Sequence, residues 1–201
     1  MDGGQNLTTV CGFGDNYLEL ENNVIELAAE RLGCEYENFA QKDTSNNQIQ
    51  IEVTKRAIQF AQEDIIFLIG WTHPNRYDAI DQDKYFTYRE NSTNYPIITM
   101  NKLHKYDNYL FDNLLISQKW AAQIFGLQNL LEAKGIKYFM FNTQVPLNFN
   151  RYTEKTIRAI DHTKYYDCIG LKSTYLAAET PDKFSKFISR KIRQLGYVER
   201  P

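Results

Sequence analysis

The chain has 201 residues, 43% of them hydrophobic and 24% charged, with a formal net charge of -2. That is enough sequence for one medium domain with a sizeable core. Near-neutral charge offers no basic face for nucleic acid, and no apolar run approaches the length of a membrane span.

Three cysteines, Cys11, Cys34 and Cys168, are widely scattered and lack C-x-x-C spacing. Neither a disulfide framework nor a zinc site is expected, and a reducing compartment follows. The first residues, M-D-G-G-Q-N, do not read as a signal peptide. Aromatic residues reach 14%, with 14 Tyr and 12 Phe. That composition suits a Tyr-rich core as well as protein or sugar contacts.

Along the chain, strand and helix patterns alternate. Leu7 to Cys11 reads as a strand and leads into the turn G-F-G-D-N, Gly12 to Asn16. Asn22 or Asn23 caps a predicted helix through Leu32 that stops at Gly33. Cys34 to Ala40 is a second strand candidate. The polar loop Lys42 to Asn47 opens a helix from about Gln48 to Gln62, with Ile51, Ala57, Ile58 and Ala61 at helical spacing. Ile65 to Trp71 is a continuous apolar run, as for a strand buried on both faces of a parallel sheet. The stretch 72–106 has no clear period and reads as a Tyr-rich irregular insertion.

Tyr109 to Lys134 is a long helical pattern with a break expected near Gly126, ended by Gly135. I-K-Y-F-M-F-N-T follows as a strand. Asn148 to Thr163 is polar with a short helix, and Asp167 to Leu171 reads as a short strand. Pro181 and Asp182 open a last amphipathic helix that ends by Gly196. The alternation predicts a single α/β domain over 1–201: a three-layer sandwich, central parallel sheet, helices on both faces.

Polar residues gather in three loops that follow strands, where ligands bind in such sheets. The first loop carries Asp15 and Asn16, the second Thr44, Ser45 and Asn46, and the third, G-W-T-H-P-N-R, carries Thr72, His73 and Arg76. Each has a plain structural reading beside the functional one. The glycines permit a turn, Thr44, Ser45 or Asn46 caps a helix, and Pro74 fixes a bend. The first turn lacks the spacing of a nucleotide-binding loop.

The turn F-G-D-N, the segments L-G-C-E-Y-E-N-F-A and S-N-N-Q-I, the run I-I-F-L-I-G-W-T-H-P-N-R and the later F-G-L-Q-N-L-L-E-A-K-G-I-K-Y-F-M-F-N-T together resemble the SGNH/GDSL hydrolases, in the form found in tailed phages. The resemblance implies a flavodoxin-like sandwich and a serine esterase site. Such a site needs a Ser after G-D, an oxyanion hole from a Gly in the second loop and an Asn in the third, and an Asp-x-x-His pair before the last helix. Here Asn16 stands for the Ser. Asp43 or Thr44 stands for the Gly, and Thr72 or His73 for the Asn. Thr180 stands for the His, and Ala177 or Ala178 for the Asp. His73, His104 and His162 are the only histidines, and none starts the final helix.

This pattern implies a chain that keeps the fold and has lost the chemistry. It would be a phage structural or accessory binding module, in the virion or host cytoplasm, with protein partners and an open oligomeric state. No cofactor, metal, nucleic acid or membrane is expected. The ligand or partner surface would include Asn16, Asn46, His73, Arg76, Tyr77, Tyr85 and Tyr88. Two alternatives stand beside it. One is an esterase for an ester or acetylated carbohydrate with a rearranged Ser45, His73 and Asp15. The other is a non-catalytic carbohydrate- or small-ligand-binding protein.

Overall fold

The computed structural model describes residues 8–15, 18, 23–42, 44–60, 64–72, 74, 76–81, 84–89, 113–143, 146–147, 149, 151, 153–167 and 181–198. Five strands, β1 (Thr9–Phe13), β2 (Glu35–Asn38), β3 (Ile65–Trp71), β6 (Lys137–Asn142) and β7 (Tyr165–Tyr166), form one parallel sheet in the order β2-β1-β3-β6-β7. A separate antiparallel pair joins β4 (Arg76–Asp81) to β5 (Lys84–Arg89). Five helices complete the described fold: α1 (Val24–Leu32), α2 (Asn46–Gln59), α3 (Asn113–Ala133), α4 (Glu154–Ala159) and α5 (Pro181–Gln194). With the hairpin set aside, this is the flavodoxin-like strand order, and the predicted three-layer α/β sandwich is what the chain adopts.

Side-chain alternation builds the two cores. Every residue of β3 is buried. Ile65, Phe67, Ile69 and Trp71 pack on one face with Ile49 and Val53 of α2, Ile124 of α3 and Ile157 of α4. Ile66 and Leu68 pack on the other with Ile25 of α1 and Ile188 of α5. Each such Ile, Leu or Phe contributes roughly 1.5–3 kcal/mol by leaving water. The continuous apolar run is therefore two interleaved faces, one for each helical layer.

Local chemistry sets the helix ends. Asn23 caps α1: its Oδ1 accepts from the Ile25 and Glu26 amides at 2.9 and 3.0 Å. Its Nδ2 donates to the Tyr36 hydroxyl at 3.0 Å, tying the helix start to β2. Gly33 closes α1 at φ 70°, a conformation that favours glycine. Pro181 occupies the first position of α5, where its missing N–H costs nothing.

Several boundaries differ from expectation. β1 runs to Phe13, because Gly12 and Phe13 still pair with Leu68 and Ile69. α2 starts at Asn46 and ends at Gln59, earlier at both ends, because Ser45 is its cap. The last strand is Tyr165–Tyr166, pairing with Met140 and Phe141, whereas the predicted 167–171 strand lies outside the described residues beyond Asp167.

The irregular insertion is corrected at 76–89, which is a hairpin. Its Tyr, Phe, Thr and Ile content favours strands. However, both ribbon faces mix polar and apolar residues, and Gln82-Asp83 lacks a hairpin turn signature. Residues 90–106 lie outside the described set.

α3 continues through Gly126 without the expected break. Packing of Ile124, Leu127 and Leu131 holds the helix on both sides of it. Gly126 is exposed, and a methyl group in place of its hydrogen would meet no neighbouring atom within 4 Å. Gly126→Ala should therefore stabilise the protein by about 0.5–1 kcal/mol, read as a higher urea midpoint with an unchanged slope.

Candidate functional site at the strand ends

The connections of a doubly wound sheet diverge between β1 and β3. From β1 the chain moves outward to β2, and from β3 it moves to the opposite side, to β6. This leaves a crevice at the carboxyl ends of β1 and β3, the place where ligands bind in open α/β sheets. Gly14 and Gly70 approach closely there. A Cβ on either would collide with Leu18, and one on Gly14 would also lie 3.1 Å from the Gly70 carbonyl.

Three buried polar residues meet at this crevice. Thr72, directly after β3, donates its hydroxyl to an Asp15 carboxylate oxygen in a short hydrogen bond. Both side chains are almost fully buried, Asp15 at 0% exposure and Thr72 at 1%. Asn46, the first residue of α2, grips the backbone of Thr72 from two sides. Its Oδ1 accepts from the Thr72 amide at 2.8 Å, and its Nδ2 donates to the Thr72 carbonyl at 3.1 Å. The carboxamide reads the strand end as another strand would, with one acceptor and one donor. Asn46 is 5% exposed and clamps the strand end.

The neighbouring loop is equally committed. Ser45 is fully buried and caps α2, its Oγ accepting from the Gln48 amide at 3.1 Å. Thr44 is 5% exposed. Beside it a shallow depression of about 20 Å³, lined by Gly14, Phe39, Gln41, Thr44, Gln48 and Glu52, has room for about one water molecule. Arg56 flanks it, stacked 4.1 Å over the Phe39 ring and bonded to Glu52 at 3.0 Å.

The structure thus brings together Asp15, Thr44, Ser45, Asn46 and Thr72. Asn16, His73 and Thr180 lie outside the described residues, as do the side chains of Arg76, Tyr77, Tyr85 and Tyr88. Among the described residues, no group of three His, Cys, Asp or Glu side chains is placed to hold a metal ion. No helix among them is long and apolar enough to cross a membrane.

A second polar cluster, which the sequence did not single out, lies at the ends of β6 and β7. One oxygen of Asp167 accepts from Asn142 Nδ2 at 2.7 Å, the Leu147 amide at 2.9 Å and the Tyr165 hydroxyl at 3.4 Å. Burial pushes the Asp167 carboxyl above its ordinary range, against the lowering effect of these donors. The clue was an Asp just past a Tyr-Tyr strand, but its partners come from 20 and 25 residues away.

No family model matches the chain, and no curated protein sequence matches it significantly. Solved structures offer distant likenesses. An acetyl xylan esterase from the rumen bacterium Butyrivibrio proteoclasticus is 11% identical, with TM-score 0.49, over 95% of this chain. The chain spans 64% of that protein's length. A protein from Bacteroides fragilis assigned as an acylhydrolase is 12% identical, with TM-score 0.38, over 98% of this chain and 67% of its own. A Desulfitobacterium hafniense protein assigned to the lipolytic G-D-S-L family is 10% identical, with TM-score 0.44, over 91% of this chain and 98% of its own. At these scores the likenesses carry no conclusion about chemistry.

Two measurements test the clusters. Asn46→Ala leaves the Thr72 amide and carbonyl buried without their partner, and should cost about 1–3 kcal/mol in chemical denaturation. For Asp167, the raised folded pKa means that the folded state binds its proton more tightly than the unfolded chain does. Its contribution to stability is therefore most favourable below the ordinary carboxylate range and is lost as pH rises through the folded pKa. The stability of Asp167→Asn relative to the unsubstituted protein should rise from pH 4 to pH 7. A flat difference would show that the carboxyl is not raised.

Proposed function

We propose that this chain is an SGNH-like α/β sandwich that does not turn over esters and serves as a phage structural or accessory binding module. The observation that carries the reading is the engagement of Thr72. Thr72 is one of the two positions, with His73, where an esterase of this kind would present an Asn to a developing oxyanion, and Thr72 donates its hydroxyl to Asp15. Its amide donates to Asn46. Oxyanion stabilisation needs donors aimed at the reacting oxygen, and these are aimed into the protein.

The other positions support the same reading. Asn16 follows Gly14-Asp15, and a carboxamide is not a nucleophile that a histidine activates. Ser45, the hydroxyl of the rearranged alternative, is buried and caps α2. Asp15, the acid of that alternative, accepts from Thr72. The resemblance of the quoted segments to the tailed-phage branch is the basis for assigning a phage role. The region 77–109 is the proposed partner surface, because its sequence is rich in tyrosine and aromatic-rich segments suit recognition.

The test uses the full chain with a short-chain aryl ester and a fluorophosphonate probe. Hydrolysis at the rate of buffer and no covalent labelling are expected. Turnover abolished by Ser45→Ala, with the fold retained by circular dichroism, would overturn the reading in favour of a rearranged esterase.

A further inference from the structure

Helix α5 carries five basic residues, Lys183, Lys186, Arg190, Lys191 and Arg193, against one acid, Asp182. That is a formal charge of +4 on a helix of 14 residues, in a chain whose total is -2. The other 187 residues therefore carry -6, a contrast that the net charge conceals. The sequence on either side does not offset it, since 168–180 and 199–201 each hold one acid and one base.

The helix turns its apolar side to the sheet, burying Phe184, Ile188 and Ile192. Lys183, Lys186 and Arg190 are exposed and fall on one stripe of the opposite side, at i, i+3 and i+7, over about 10 Å. Asp182 does not neutralise the stripe. One of its oxygens accepts from Arg31 of α1, and the other pairs with Lys186 at 2.8 Å. Arg31 also donates to Ser185 at 3.1 Å, so the neighbouring helix turns a further cation toward α5. The acids of α1, Glu26 and Glu30, lie about 140° and 100° round that helix from Arg31. Arg190 has no ion-pair partner among the described residues.

We infer that this face of α5 docks a short acidic segment of a partner protein. An exposed ion pair contributes only about 0–1 kcal/mol, so recognition needs several carboxylates set against the stripe at once. Screening over roughly 8 Å at physiological ionic strength confines the attraction to the helix and its immediate neighbours. A short acidic segment stays within that range. A long polyanion such as nucleic acid runs past it, on to a chain whose remainder is -6. The charge contrast therefore favours a compact acidic partner over nucleic acid. The inference depends neither on ester hydrolysis in the crevice nor on the segment 77–109.

The test is fluorescence anisotropy of labelled octaglutamate titrated with the full chain at low salt. Saturable binding is expected, and it should weaken as sodium chloride is raised. Lys183→Glu combined with Arg190→Glu should weaken it at least about tenfold, with the circular dichroism spectrum unchanged. The neutral pair Lys183→Gln and Arg190→Gln should weaken it to a lesser degree, and reads the same loss if the glutamate pair disturbs the helix. Lys55→Glu combined with Lys134→Glu alters net charge equally at two exposed lysines elsewhere, and should leave binding within about twofold. The docking face is refuted if octaglutamate does not bind, or if the two glutamate pairs weaken binding equally. Tighter binding of a twenty-nucleotide oligothymidylate than of octaglutamate would overturn the choice of partner. So would salt-sensitive self-association of the chain in sedimentation, which would seat a second copy on the face. None of these readouts measures ester turnover.

Discussion

The carboxamide of Asn46 holds the backbone of Thr72 by its amide and its carbonyl at once, and the geometry of the crevice rests on that grip. It joins the start of α2 to the end of β3, the most buried strand of the sheet. Because β3 has no solvent face and Thr72, the residue that follows it, is buried, the Thr72 backbone cannot be satisfied by water, and a side chain takes the place of a neighbouring strand. Ser45 caps the same helix one residue earlier, and so the β2–α2 loop is fixed by two adjacent side chains. The hydroxyl of Thr72 completes the arrangement by reaching Asp15 at the end of β1. Three elements are thereby locked around the switch point.

That lock commits the polar groups of Asn46, Thr72 and Asp15 to one another. Buried donors and acceptors are costly to leave unmatched, so a donor used to hold the fold is not available to a reacting oxygen. Thr72 joins Asp15 through its hydroxyl and Asn46 through its backbone, and the depression beside Thr44 has a volume of about 20 Å³, room for about one water molecule.

The far side of the sheet shows the same economy. β7 has only two residues, and its end is tied by Asp167 to Asn142 of β6 and to the backbone of Leu147. A short edge strand gains little from ladder hydrogen bonds, so a side-chain acceptor makes up the deficit. The cost is a carboxylate held in partial burial, which is why its proton affinity rises.

The layered architecture was legible in the sequence because it follows from local rules. Alternation in Ile65–Trp71 assigns each residue to a face, while Asn23, Gly33 and Pro181 mark helix ends through chemistry they carry themselves. The candidate crevice was legible too, since polar residues after buried strands collect at one sheet edge. The hairpin escaped because polar and apolar residues are mixed at the positions of both ribbon faces, so its sequence carries no one-sided alternation. Gly126 misled because neighbouring core contacts outweigh one weak position in α3. The sequence by itself determined the layers, the strand that anchors them and the residues that gather at the crevice. Only the tertiary structure decided that Asn46, Thr72 and Asp15 satisfy one another. Hydrogen-bond partners 26 and 57 residues apart are chosen by how the strands stack, and no local pattern encodes that choice.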